Sequence, residues 1–489
     1  MTLKQRIGAS TVDELTVRGS RHSNEVHGPQ TWSQALLRRG EFCKLSSQPA
    51  ARSGSIYRIA LTGAISGFLF GFDTAVINGA LLSLRAHFVL SEIQVEIAAS
   101  SLLYGCLFGA MAAGSLSDRY GRRSILRLSG LLFLVSAVFA AMPHTIVEFL
   151  MARFLGGLGI GLASTIAPIY LAEVSPREKR GSIVTLNQMA IISGILAAYC
   201  TNWAFSFTGA AAWRWMFGFA ALPAIAFIVC LRFVPESPRW LIQKHRNEEA
   251  GAALSAIGGD SHSAETLREI TTAMAEEEPP PGWLRRMRRP LLLAVAVAAL
   301  QQLTGINTVL YYGSMLFVAH GNSGSDQRAF AANVLIGVTN LVFTLVALTL
   351  MDRVGRRILL GGSASVMFVA LLLLVYEFQR TQTQFVLIVA STMLYVAAFA
   401  TGLGPGAWVY IAEIFPTNIR GRAMSIATSV LWASCILVSN SFLTLIRALT
   451  AAGAFAVYAA ICAVAAVFFF QLPETRGRSL EEIEQSWKR

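Results

Sequence analysis

Long apolar runs, each bounded by a short charged segment, follow one another along nearly the whole chain beyond residue 56. A helix needs roughly 20 apolar residues to cross a bilayer core. Twelve runs meet that length, near 57–80, 95–116, 124–143, 146–172, 183–204, 213–234, 290–318, 329–351, 358–378, 384–412, 423–446 and 451–472. The pattern predicts an all-α membrane protein with twelve transmembrane helices.

The charged segments between the runs repeat. GSLSDRYGRR (Gly114 to Arg123) returns as MDRVGRR (Met351 to Arg357), which sets Asp118 and Asp352 234 residues apart. IYLAEVSPREKRG matches VYIAEIFPTNIRG at an offset of 240, and PESPR matches PETRG at 238. Three motifs in one order between apolar runs describe two six-helix pseudo-repeats in parallel orientation. The chain then divides into a tail over 1–55, a bundle over 56–238, a central loop over 239–289, a second bundle over 290–472 and a tail over 473–489.

Composition narrows the class. A mean hydropathy of +0.54, with 54% apolar and 14% charged residues, excludes a soluble enzyme. The net charge of +12 would suit nucleic acid, but the cations fall in alternate loops, so it reads as a topology signal. By the positive-inside rule both termini and the central loop are expected in the cytoplasm. The expected location is the plasma membrane, the inner membrane in a bacterium, with no nucleic-acid partner. Six cysteines are scattered, mostly within the runs and without ligand spacing, so neither a disulfide framework nor a metal site follows. Residues 1–55 lack the apolar core of a signal peptide. The central loop, with EEEPPPGW over Glu276 to Trp283, predicts short surface helices and a linker.

Seven motifs in order carry a resemblance. They are GFLFGFDTAVINGA (Gly67 to Ala80), the doubled D-R-x-G-R-R, RFLGGLGIG (Arg153 to Gly161), PESPRW, QQLTGINTVLYY (Gln301 to Tyr312), GPGAWVYIAEIFP (Gly404 to Pro416) and PETRG. On these the chain resembles the sugar porter family of the major facilitator superfamily, over roughly residues 55–485. The resemblance implies the major facilitator fold and transport by alternating access. A monomer without cofactor is expected.

Glu173 and Glu413 end apolar helices, each followed seven residues on by Arg180 or Arg420. With Asp118, Arg122, Arg123, Glu236 and Arg239 in the first half, and Asp352, Arg356, Arg357 and Glu474 in the second, they are expected to form a cytoplasmic gating network. The alternative is a solvated rim. Exposed pairs contribute only about 0–1 kcal/mol each, so a gate requires a network.

Asp73 lies in the middle of the first run and Arg153 near the middle of the fourth. An unpaired charge there costs at least about 2.5–3.5 kcal/mol, so each needs the other or water. One reading is an ion pair that only fixes packing. The other is a proton switch: paired, Asp73 is ionised; parted in a dry site, it takes a proton. Asp at this place resembles the proton-coupled monosaccharide carriers, whereas facilitative glucose transporters carry Asn.

Sugar hydroxyls are bound by amides in bidentate fashion, and sugar C–H faces pack on aromatic rings. The chain offers Gln188, Gln301, Gln302, Asn307, Asn340, Trp408 and Trp432, each matching a sugar-contacting position by resemblance. Gly305 and Pro405 predict broken helices beside them. Family members usually carry an amide immediately before the eleventh-span Trp and many carry another three residues after it; here these are Leu431 and Cys435. That departure leaves a hexose, a pentose, a polyol and a cyclitol all open as substrates. Proton-coupled symport is the reading favoured, with a facilitative uniporter or a transporter-like nutrient sensor as alternatives. No nucleophile–base pair or phosphate loop argues for an enzyme.

Overall fold

A computed structural model describes residues 53–175, 180–258, 267, 270–272, 283–320, 326–415 and 417–476. The side chains of Arg180 and Asp352, and nearly all of the two expected tails, lie outside the described residues. Among the described residues there are helices and no strand.

The chain is a multi-pass membrane protein of the major facilitator fold. Among the described residues ten helical stretches are long and apolar enough to cross a membrane, and two of them, 46 and 53 residues long, have the length for two crossings each, which makes room for twelve. The first crossing joins α1 (Ser53–Ala75) to α2 (Ile77–Phe88). Next come α3 (Glu92–Tyr120), α4 (Arg122–Ala141), α5 (Ile146–Val174) and α6 (Arg180–Phe205). The sixth crossing is built from α7 (Ala212–Gly218) and α8 (Ala221–Cys230). Short helices α9 (Pro238–Gln243), α10 (Asn247–Gly258) and α11 (Trp283–Arg286) occupy the central segment. The second half runs through α12 (Arg288–Leu303), α13 (Ile306–His320), α14 (Asp326–Val354), α15 (Arg356–Gln379), α16 (Phe385–Ala398) and α17 (Gly404–Glu413). It ends with α18 (Thr417–Gln471), whose two crossings meet at Thr450, a non-glycine residue with φ of 67°.

Two of these junctions follow from single residues. Between α12 and α13 the chain turns at Gly305, whose φ of 93° suits glycine. Between α16 and α17 a π-helical turn, Phe399–Leu403, precedes Pro405, which has no N–H to continue the ladder.

Glycines bring helices close where lipid supplies no hydrophobic drive for association. Across the α3–α5 contact, a Cβ on Gly105, Gly157 or Gly161 would collide with the carbonyl of Phe154, Leu102 or Cys106. Gly71 and Gly194 play the same part between α1 and α6. Gly114, on the same helix as Gly105, has open space around its Cβ direction.

The repeated motifs gather at one end of the helices, called here the motif face; the opposite end is the far face. Hydrogen bonds that join the first six crossings to the last six among the described residues lie toward the far face. Asn78 Nδ2 donates to the Leu310 carbonyl at 2.9 Å, and its Oδ1 accepts from the Ser314 N–H at 3.0 Å. Tyr199 donates to the same Leu310 carbonyl at 3.2 Å. Asn440 on α18 accepts from Ser100 at 2.6 Å and donates to the Tyr104 hydroxyl at 2.7 Å, both on α3. Toward the motif face, Gly114 on α3 and Gly421 on α18 have no neighbour within 4 Å of a built Cβ.

Gly157→Leu should lower unfolding stability by about 1–3 kcal/mol, the usual cost of overpacking, while Gly114→Leu leaves it near wild type. Thermal unfolding of the purified proteins checks this; equal melting of the two variants would contradict the close α3–α5 approach.

Candidate substrate and proton site

Asp73 and Arg153 meet in the membrane interior. Arg153 Nη1 donates to Asp73 Oδ1 and Nη2 donates to the Asp73 backbone carbonyl at 2.8 Å. Both residues are buried, Arg153 completely, and its guanidinium lies 5.1 Å from the centroid of the Phe217 ring. The aromatic face and the carbonyl add to the carboxylate in stabilising a cation taken out of water. Asp73 Oδ2 is buried and has no hydrogen-bond partner among the described residues.

One turn before Asp73 on α1, Phe70 packs against Trp432 with ring centroids 6.0 Å apart, so the ion pair adjoins the amide cluster of the second half. The cluster is a chain of side chains. Gln301 Nε2 donates to the carbonyls of Leu403 (3.1 Å) and Gly404 (2.9 Å), Gln302 donates to Gln301 at 3.3 Å, and Asn307 donates to Gln302. The second Asn307 donor goes to Cys435 Sγ at 3.0 Å, and the Tyr311 hydroxyl lies 3.9 Å from that sulfur.

The break at Gly305 lets α12 and α13 present this chain together. Gln301, Gln302, Asn307, Asn340 and Trp432 are buried, while Gln188 and Trp408 are half-buried. The described hydrogen bonds bring Gln301, Gln302 and Asn307 together and give none to the side chains of Gln188 and Asn340. Gln301 differs from the expectation in one respect: both of its N–H donors are taken by the backbone at the break before α17. Ser363 on α15 grips the same break, accepting from the Leu403 N–H at 3.2 Å and donating to the Ala398 carbonyl at 2.7 Å. The sequence reading passed over Ser363, for a lone serine in an apolar run carries no signal. Leu431 and Cys435 are both buried, and Cys435 ligates Asn307 where an amide would have stood.

At the motif face the two halves build the same device. Glycines with φ of 94° and 100°, Gly121 and Gly355, start α4 and α15. Glu236 accepts from the Arg123 N–H at 3.0 Å, and Glu474 from the Arg356 N–H at 3.0 Å and the Arg357 N–H at 3.1 Å, so a carboxylate caps each helix N-terminus. Arg122 reaches back to the Ser117 carbonyl (3.2 Å) and Arg356 to that of Met351 (3.0 Å), the same five-residue step. Arg122 Nε stands 3.3 Å from Glu173, and Arg356 Nη2 2.9 Å from Glu413. Each glutamate also accepts from a hydroxyl: Ser237 on the Glu173 oxygen that faces Arg122, and Thr475 on the other oxygen of Glu413 (2.6 Å). Asp118 pairs with Arg122 at 3.1 Å. These bonds link helices inside a half. The guanidinium of Arg123 goes to the carbonyls of Leu231 and Arg232, and that of Arg420 to Phe415, rather than to acids. Arg239 has a partner as well. The hydroxyls, Ser237 and Thr475, were legible as a repeated position of PESPR and PETRG but were not singled out.

The comparisons agree with this geometry. A family model described as sugar (and other) transporter matches residues 59–487. The chain belongs to that family. Among curated proteins it is 35% identical to the D-xylose-proton symporter of Escherichia coli strain K12, covering 89% of this chain and 96% of that one. It is 34% identical to the arabinose-proton symporter of Bacillus subtilis, over 90% and 97% of the two chains. The glucose transport protein of Synechocystis is 36% identical, over 89% and 98%. Among solved structures, the inward-open xylose transporter XylE of E. coli superposes with a TM-score of 0.78 at 34% identity, covering 88% of this chain and 100% of that one. The proton:xylose symporter XylE bound to 6-bromo-6-deoxy-D-glucose gives 0.75 at 34% identity, over 89% and 99%.

Arg122→Ala should destabilise the fold by about 1–3 kcal/mol, the cost of leaving a largely buried Glu173 without its cation. Thermal unfolding measures it, and Arg122→Ala with Glu173→Gln should recover part of the loss. Trp408→Ala and Gln302→Ala should each weaken substrate binding by about 1–3 kcal/mol without unfolding the protein. Calorimetric titration checks this, and unchanged affinity in both would move the site elsewhere.

Proposed function

We propose that the protein is a secondary active transporter that carries a monosaccharide, polyol or cyclitol together with a proton by alternating access, and is not an enzyme. The observation that carries the proton coupling is the buried Asp73–Arg153 pair, with one carboxylate oxygen unpartnered and Phe70 linking its helix to Trp432. A relative named as a xylose-proton symporter and one named as an arabinose-proton symporter support the same reading.

The motif face is taken as cytoplasmic, from the distribution of Arg and Lys. Bonds between the halves gather toward the far face, which supports reading this as an inward-facing arrangement. The better overlap with inward-open XylE supports it. In the cycle, Asp73 takes a proton from outside as its bond to Arg153 loosens, and substrate bridges the Gln302–Asn307 chain and the aromatic side chains. The halves then rock, the site opens inward, and Arg153 returns to the carboxylate as the proton leaves. The paired contacts at the motif face hold each half as a rigid unit during that motion and form the core of the gating network, with Arg239, Arg357 and Arg420 beside them. The carrier works as a monomer in the plasma membrane. One proton moving down 100 mV supplies about 2.3 kcal/mol, enough for roughly 50-fold accumulation.

Asp73→Asn should abolish uphill accumulation while preserving exchange of substrate across the membrane, because Asn keeps the volume and loses the proton. Uptake of labelled sugars and polyols into vesicles, with and without an imposed pH difference, decides it. If the variant still concentrates substrate, symport does not run through Asp73.

A further inference from the structure

The amide chain beside the break at Gly305 ends on α18. Gln301 spends its N–H donors on the carbonyls of Leu403 and Gly404, and Asn307 spends its own on Gln302 and on Cys435 Sγ. Among the described residues no group donates to Asn307 Oδ1, and only one N–H of Gln302 is engaged. The Trp432 indole, held by Phe70 of the first half, keeps a buried N–H with no partner among the described residues. A few polar functions are thus left for a ligand, and they lie at the chain and at the indole.

The wall beside them is different. Residues four apart share one face of a helix. Ala427, Leu431 and Cys435 follow one another at that spacing on α18, all are buried, and the bond from Asn307 to Cys435 shows that this face is turned toward the amide chain. Over two turns, about 12 Å, the wall presents a methyl, an isobutyl group and a thiol. Of these only the thiol bonds hydrogen, and weakly.

We propose that the sugar carried is a 6-deoxyhexose, whose exocyclic carbon is a methyl group, and that Leu431 and Cys435 select it by receiving that methyl. The proposal rests on reading this site as the sugar site. Of the hexose hydroxyls only the one on C6 sits on an exocyclic carbon, so its removal leaves every ring hydroxyl in place for Gln302, Asn307 and Trp432. Three ligands that differ only there meet the wall differently. A hexose brings a hydroxymethyl group, whose O–H gives up its water and finds no acceptor of ordinary strength. A pentose brings no carbon and leaves a void, which forfeits contacts and buried apolar area. The methyl group fills the space and needs no hydrogen bond.

The test uses triads of pentose, 6-deoxyhexose and hexose that share ring stereochemistry. They are L-arabinose, D-fucose and D-galactose; D-xylose, D-quinovose and D-glucose; L-lyxose, L-rhamnose and L-mannose; and D-arabinose, L-fucose and L-galactose. Calorimetric titration of the purified protein gives the affinities, and counterflow in vesicles shows which sugars are carried. In the triad bound most tightly, the methyl member should bind about tenfold or more tighter than both others, the scale on which an apolar pocket discriminates a single carbon or hydroxyl. Cys435→Asn puts an amide on the wall, and the advantage of the methyl sugar over the hydroxymethyl sugar should fall by about tenfold. Leu431→Gln, one turn away, should act in the same direction and serves if the first variant does not fold. A pentose or hydroxymethyl sugar that binds as tightly as its methyl relative overturns the proposal, and so does an unchanged ranking in the variants that fold. Those outcomes leave the sugar-carrier reading standing. A folded protein that binds none of the panel removes the monosaccharide reading and the proposal with it.

Discussion

The backbone groups and the charges that this chain takes out of water need partners inside the protein, and that constraint organises the molecule. In a bilayer an unsatisfied N–H or carbonyl costs several kcal/mol, so a helix can be interrupted only where side chains take over its ladder. The break before α17 obeys this rule, with Gln301 on its carbonyls and Ser363 on its free N–H. So does the charged pair at the centre, where Arg153 takes a carboxylate, a carbonyl and an aromatic face together. Gln301, one of the amides expected at the binding site, is therefore already engaged in holding a broken helix in place.

The duplication has a physical content beyond ancestry. Each half needs one end fastened, and the same five groups fasten it twice: a left-handed glycine, an arginine folded back on a carbonyl, a glutamate capping a helix, a second glutamate for the arginine, and a hydroxyl bonded to that glutamate. These are contacts within a half, whereas Asn78, Tyr199, Asn440 and Glu96 make contacts between halves. Rigid halves joined by a few exchangeable polar contacts are what a rocking carrier requires.

Much of this was legible in the sequence, because lipid reduces the problem to counting apolar runs and reading which charges recur. The spans, the doubled motifs and the isolated Asp73 and Arg153 all stand out against an apolar background. The residues that bridge the halves do not. Asn78, Asn440 and Glu96 lie near helix ends, where polar residues are ordinary, and only the three-dimensional pairing distinguishes them. Gln301 was readable as an amide at a carrier's midplane, but its engagement with the Leu403 and Gly404 carbonyls depends on how α17 sits, which no local pattern encodes. The sixth crossing and the joint at Thr450 show the same limit: hydropathy counts crossings well and places their ends poorly.

The wide turn over Phe399–Leu403 has a further consequence for what lies beyond it. A π-turn holds one residue more than a regular turn, and each residue of an α-helix advances about 100° around the axis. Every side chain from Pro405 onward is therefore rotated by about that angle from where a regular helix would aim it. Trp408 faces its present direction, and Glu413 meets Arg356, only because one surplus residue is retained upstream. The turn acts as a phase-setting element, a single-residue offset that fixes the angular register of Trp408 and of the Glu413–Arg356 contact at once.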